Sequence, residues 1–210
     1  LGDDVLEPLG SKMIEQYNEY KESRGDWEDT YRNGLELLGF KYERRTEPFR
    51  GASGVNHPVL AEAVTQFQAQ AYKELLPADG PVRTQVIGVQ TPANDLQAQR
   101  VKDYMNYLVM DKMKEYEPEF DSMLFHLPLA GSTFKKVYYD LTMGRAVSKF
   151  VPADELVVPY TATSLDDAEA IIHVIKIPEN ELRKQQVSGF YRDVELGPPG
   201  MVTSNELEKK

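Results

Sequence analysis

Apolar residues recur at helical spacing through much of the first two thirds of the chain and alternate singly in most of the remainder, a pattern that predicts helices followed by short strands. The clearest stripe is Leu60, Val64, Phe67, Ala71 and Leu75, spaced four, three, four and four residues apart, which predicts a helix over 58–76. Pro58 fits its first turn because it has a fixed φ and no N–H to leave unsatisfied, with Asn56 or His57 as cap. The opposite face holds alanines with Gln66, Gln68 and Gln70, and its only charges are Glu62, Lys73 and Glu74. An uncharged face of this kind suits a protein partner better than water alone.

Upstream, residues 11–24 read as a helix capped by Ser11, with Met13, Ile14, Tyr17 and Lys21 on one side. A second helix begins at Gly25-Asp26, carries Trp27, Tyr31, Leu35 and Leu38, and stops at Gly39. Downstream of the breaker Pro77 to Pro81, Val82, Thr84 and Val86 alternate with Arg83, Gln85 and Ile87, which predicts a strand over Val82 to Gln90. Thr91-Pro92 opens a helix to about Tyr116, with Val101, Tyr104, Met105 and Leu108 turned inward, and Pro118 starts another bearing Phe120, Leu124 and Leu127. A hairpin then joins Thr133–Asp140 to Arg145–Val151 through a short turn containing Gly144, which requires antiparallel strands. Leu156 to Val158 and Ile171 to Ile177 read as strands, and Glu179 to Val187 as a short helix.

The fold class that follows is α+β, with helices packed around a small, mainly antiparallel sheet. One domain is expected over 1–190, built from a helical pair at 11–39, helices over 58–76 and 92–130, and a β-rich part at 132–177. Residues 191–210 are an irregular segment. There Thr203 and Glu206 have capping-box spacing four residues before the last, so the natural protein is expected to continue, and the start at Leu1 is expected to be either processed or cut from a longer protein. The expected core is Trp27, Tyr31, Leu35, Leu60, Val64, Phe67, Leu108, Phe120 and Leu124.

Composition narrows the chemistry. The chain has 210 residues and no cysteine, which removes thiol catalysis, thiolate metal sites and disulfides and suits a reducing compartment. The longest apolar runs fall far short of the roughly 20 residues that span a bilayer. A net charge of −10 argues against clamping nucleic acid through many phosphates, although DNA could still slide past without being gripped. Residues 1–40 carry ten acids against four bases, whereas Lys41, Arg44, Arg45 and Arg50 form a local basic cluster.

Catalytic signatures are scarce. His57, His126 and His173 have no paired spacing, and Gly51-Ala52-Ser53-Gly54 is followed by Val55 where a nucleophile elbow needs glycine. No phosphate-cradling or dinucleotide-binding glycine motif is present. Asp166-Asp167-Ala168-Glu169 has enough carboxylate for a cation, but Ser164 ahead of acids is also what a turn or helix start prefers, and the turn is the favoured reading. No catalytic, cofactor or metal residue is assigned. Arg44, Arg45, Arg50, Gln66 and Gln70 are the candidate subunit or DNA contacts.

Several blocks stand in a telling order. Trp27-x-x-x-Tyr31-Arg32-Asn33-Gly34 comes first, then Asn56-His57-Pro58-Val59-Leu60-Ala61-Glu62-Ala63 and Leu75-Leu76-Pro77-Ala78-Asp79-Gly80. Gly131-Ser132-Thr133-Phe134-Lys135-Lys136-Val137-Tyr138-Tyr139-Asp140 and Val151-Pro152-Ala153-Asp154-Glu155-Leu156-Val157-Val158-Pro159 follow. Over about residues 10–190 this succession resembles the N-terminal, wing-forming part of portal proteins of tailed bacteriophages, in particular the large portals of short-tailed phages.

The resemblance implies a non-enzymatic subunit of a twelve-membered ring at one capsid vertex, assembled in the bacterial host cytoplasm and carried in the virion. It implies contacts with further copies of itself, capsid protein, the terminase large subunit and a neck or tail adaptor. Double-stranded DNA would pass through without tight binding, and neither membrane nor cofactor would be involved. Stem, clip and crown elements would lie further along the natural chain. The alternatives are a metal-dependent hydrolase using His57 or the Asp166–Glu169 run, and a cytoplasmic adaptor using the 58–76 helix face.

Overall fold

A computed structural model describes residues 2–39, 49, 51–52, 57–141, 143–195 and 197. The fold is α+β, and its contacts divide into two compact units, Leu1–Glu36 with Glu155–Lys210, and Leu37–Asp154.

The first unit holds α1 (Asp3–Ser23), most of α2 (Gly25–Leu38), the two-residue strands β3 (Leu156–Val157) and β4 (Ile172–His173), and α6 (Glu179–Val187). α1 begins eight residues before the expected start at Ser11, running through Pro8 and Gly10, which are poor interior helix residues. Ser11 is therefore no cap, and its hydroxyl donates back to the Glu7 carbonyl at 3.1 Å. Arg24, at the α1–α2 junction, is buried; it donates to Glu28 at 2.8 Å and to the Leu156 carbonyl at 2.8 Å. Its guanidinium also lies over the Trp27 ring, which stacks on Tyr31 at 5.4 Å. β3 and β4 pair antiparallel with Leu156 opposite His173, so the expected strand over 171–177 shortens to two residues.

The second unit holds α3 (Val59–Leu75), α4 (Pro92–Tyr107), which runs into a π-turn over Leu108–Lys112, α5 (Tyr116–Ala130), and strands β1 (Phe134–Asp140) and β2 (Arg145–Val151). α5 packs against both α3 and β2, and the core sits along it as Val64, Leu124, Val147 and Val151. Gly131 ends α5 with φ 77°, a left-handed cap that returns its N–H to the Leu127 carbonyl at 2.9 Å. The hairpin has the expected partners, from Phe134 opposite Val151 to Asp140 opposite Arg145. Asp140 accepts from the Met143 N–H at 3.1 Å and Gly144 has φ 62°, which together close the turn.

Two sequence readings give way here. Val82–Gln90 is not a strand, although Val82, Thr84 and Val86 alternate inward as read. The segment lies along α4, and side chains of that helix take the polar groups a sheet would use. Asn106 accepts from the Val82 N–H at 2.9 Å and donates to the carbonyls of Val82 and Asp79, while Asn94 donates to the Val89 carbonyl at 3.0 Å. The segment thereby covers the α4 face bearing Ala98, Lys102 and Asn106, so the apolar stripe read as inward is left out: Val101, Tyr104 and Met105 are exposed. In the expected core, Tyr31, Val64 and Leu124 are buried and Trp27, Leu35, Leu60, Leu108 and Phe120 half-buried, whereas Phe67 is 41% exposed.

Truncating Leu124 to Ala should therefore cost about 2–5 kcal/mol, while Phe67→Ala, at an exposed position, should cost about 0.5 kcal/mol or less. Thermal melts of both variants check this, and equal losses would contradict the assignment. Gly80 makes a sharper case, because its φ is 88° and an added Cβ would lie 2.5 Å from Asn106 Cγ. Gly80→Ala should lower the melting temperature, and Asn106→Ala should cost less in that background than in the parent, because the clash has already displaced the Asn106 side chain; equal costs would mean that the two positions are not in close approach.

Candidate functional site

The α3 surface is the part of the sequence-derived site that the structure describes. Val64 fixes the rotation of α3 by burying one side, and Gln66 and Gln70, one turn apart, are exposed on it. Arg44, Arg45 and Arg50 lie outside the described residues, so only the glutamines of the candidate set have a described position.

Between α3 and α5 runs an open groove of about 570 Å³, with Thr65, Gln68, Tyr72, Lys73, Glu117 and Asp121 among its lining residues. Two polar bridges cross it. Gln68 donates to the Asp121 carboxylate at 2.7 Å, and the Tyr72 hydroxyl donates to Glu117. The hydrogen bond to Glu117, assisted by burial, pushes the Tyr72 phenol up to about 12. Tyr72 is thus a fixed donor at neutral pH and a poor base. The arrangement holds two helices together and presents amide, ammonium and carboxylate groups to a partner; it sets no nucleophile beside a general base.

The densest electrostatics lie at the start of α5. Glu115 and Glu119 are one helical turn apart and face the outer edge of β2. Glu119 accepts the Phe150 N–H at 2.8 Å, and the Ser148 backbone adds a small lowering of the Glu115 pKa. Arg145 grips Glu115 with both terminal nitrogens, at 2.6 and 2.9 Å, and this forked bond holds the Glu115 carboxyl below its ordinary 4.5 against the opposing effect of burial. Lys135, on β1, places its ammonium 3.5 Å from the Tyr116 ring centroid and 4.8 Å from that of Phe120. Its Nζ is buried and has no hydrogen-bond partner among the described residues, and burial pushes its pKa down to about 8, with Glu119 acting in the opposite sense. Sequence reading missed this cluster. Its signal was present in the i, i+4 acids opening a helix and in a lysine near the start of a strand, but neither is specific without the pairing.

The remaining candidates separate. Asp166–Glu169 is a turn stabilised from within: Ser164 accepts from the Asp167 N–H at 3.2 Å and Thr163 donates to Asp167 at 3.1 Å. Glu169 instead receives the Tyr20 hydroxyl at 3.3 Å. His126 stacks on Phe150 and meets Phe125 edge-on, and burial lowers its pKa; His57 is exposed and His173 sits on β4. Among the described residues no group of three or more His, Cys, Asp or Glu side chains converges in a way that could hold a metal ion. No described helix is long and apolar enough to cross a membrane. Comparison with protein families and with curated proteins finds no match to this chain.

The Lys135 environment sets a pH dependence. Because its folded pKa lies below the ordinary 10.5, the unfolded chain binds more protons between about 8 and 10.5, and stability should rise with pH across that window. The tyrosines raised above 10.0 oppose this at the upper end, since the fold disfavours their ionised form. Denaturant melts between pH 8 and 10 should therefore show rising stability in the parent and a flattened profile in Lys135→Met, with the variant more stable at neutral pH. A parent profile falling across that window, or a variant profile with the parent's slope, would contradict the burial of a charged lysine there.

Proposed function

We propose that this chain is the wing-forming part of a portal subunit from a tailed bacteriophage, a structural module rather than an enzyme. In this role it belongs to a twelve-subunit ring at one capsid vertex, docks the terminase large subunit and later the neck or tail adaptor, and borders the path of double-stranded DNA. The reading rests on the ordered sequence blocks that run from Trp27 to Pro159. The α+β architecture is compatible with it: the Gly131–Asp140 block spans the α5 cap and β1, and the Val151–Pro159 block spans the end of β2 and β3. A net charge of −10 suits a conduit that lets DNA slide. The exposed face of α3, with Gln66 and Gln70, suits contact with a neighbouring subunit or capsid protein. That same face is the observation favouring an adaptor as the second reading.

Electron microscopy of the product of the whole reading frame that encodes this chain should show closed rings, twelvefold where the symmetry can be counted. A product that stays monomeric or dimeric at micromolar concentration would count against the portal and favour the adaptor. Duplex DNA should bind this chain weakly; tight binding with a log–log salt slope of about one per neutralised phosphate would overturn the conduit role.

A further inference from the structure

The two edges of the β1–β2 hairpin are treated differently by the rest of the chain. In an antiparallel pair, N–H and C=O groups point alternately toward the partner strand and away from it. Phe150 points away from β1, since its N–H goes to Glu119, and Ser148, two residues back on the same strand, points the same way. The register then makes Lys135, Val137 and Tyr139 the residues whose backbone groups point away from β2, because they stand opposite Phe150, Ser148 and Ala146. Among the described residues, no hydrogen bond reaches those backbone groups, and Val137 and Tyr139 are 66% and 61% exposed. Lysine commonly guards such an edge, but Lys135 is turned under Tyr116 and Phe120. Lys136 stands opposite Lys149, both exposed, a like-charged cross-strand pair that is destabilising unless an anion joins it. Neither lysine forms an ion pair among the described residues.

A complementary segment exists in the same sequence. After α6, the Gln186 side-chain amide donates to the carbonyls of Arg192 and Val194, at 3.1 and 3.0 Å. Two carbonyls of alternate residues pointing the same way mark a strand-like run with one edge taken, which leaves Asp193 and Glu195 to offer the other. Asp193, Val194 and Glu195 are all exposed, and the two acids have no ion pair among the described residues.

We propose that Arg192–Glu195 of one copy adds as a parallel strand to the open edge of β1 in a second copy, with Val194 in register with Val137. The free groups would satisfy either strand direction, but antiparallel pairing would set Val137 opposite Asp193 or Glu195, whereas parallel pairing registers it with Val194. The outward Val137 would bond to the residues on either side of its registered partner, which are Asp193 and Glu195. The same register puts Val194 beside Val137 on one face and Asp193 beside Lys136 on the other. Two of the four registered pairs thus match, apolar with apolar and acid with base, while Arg192 falls beside Lys135, whose ammonium is turned under Tyr116 and Phe120, and Glu195 falls beside Tyr138. The interface is heterologous, one edge on one copy meeting a different segment on the next, so it propagates head to tail and closes only if the rotation allows. Its small size makes the association weak. It is read from this chain's own edges and charges and stands apart from the portal reading.

Because the chain has no cysteine, disulfide trapping is clean. Two exposed-site variants, Val137→Cys and Val194→Cys, carrying different affinity tags, are mixed at micromolar concentration and oxidised with oxidised glutathione. Registered neighbours across parallel strands lie about 5 Å apart at Cα, within disulfide range. The mixed 137–194 disulfide should exceed either same-residue dimer severalfold, and adding Asp193→Lys and Glu195→Lys to the Val194→Cys chain should cut its yield severalfold. Same-residue dimers equal to the mixed product, or a mixed yield indifferent to charge reversal, would overturn the proposal. Failure here with rings still seen for the whole product would leave the portal reading intact, and success without rings would leave only the strand addition.

Discussion

Two carboxylates on the first turns of α5 act as the missing third strand of a two-stranded sheet. Glu119 accepts the outward N–H group of Phe150 and Glu115 is forked to Arg145 at the other end of β2, so an isolated hairpin, marginal in water by itself, becomes docked to a helix that also packs on α3. The spacing is what makes this possible: i and i+4 on a helix lie about 6 Å apart along the axis, close to the repeat of alternate residues on a strand. The docking in turn brings Lys135 under Tyr116 and Phe120 and seats Leu124 near Val64 and Val147 in the core. The Glu115–Arg145 fork then ties the hairpin turn end to the same helix end.

The same device recurs where the backbone lacks a partner. Asn106 serves the segment after Gly80 with both a donor and an acceptor, Gln186 holds alternate carbonyls after α6, and the buried Arg24 caps the Leu156 carbonyl beside the short β3–β4 pair. Only four short strands are present among the described residues, so side chains take over much of the work of a ladder. The consequence is a fold whose apolar stripes are not all consumed internally. Val101, Tyr104 and Met105 on α4 and the β1 edge stay open, which is what a subunit of an assembly, or a module reaching toward partners, would retain.

Much of this was legible in the sequence, with a physical limit. Helices α2, α3, α5 and α6 and the hairpin announce themselves through periodicity, proline and glycine, because those signals are local. Val82–Gln90 has the right alternation and no ladder, since a strand is defined by a partner that alternation cannot reveal. The inward face of α4 was misread because polar Asn106, not the apolar stripe, makes the tertiary bonds. Within the candidate site, the exposed Gln66 and Gln70 follow from helical geometry alone. The pairings of Glu115 with Arg145 and of Glu119 with Phe150, across 30 and 31 positions, do not, because an acidic first turn is equally at home facing water.

Native-state amide hydrogen exchange of the hairpin tests the carboxylate-sealed edge most directly. Ser148 and Phe150, on the side facing α5, should be protected comparably to Val147 and Lys149, which face β1, while Val137 and Tyr139 on the open edge exchange fast in dilute protein. Exchange at Ser148 and Phe150 as rapid as at Val137 and Tyr139 would show that Glu115 and Glu119 do not close that edge, and the docking of the hairpin on α5 would have to rest on something else.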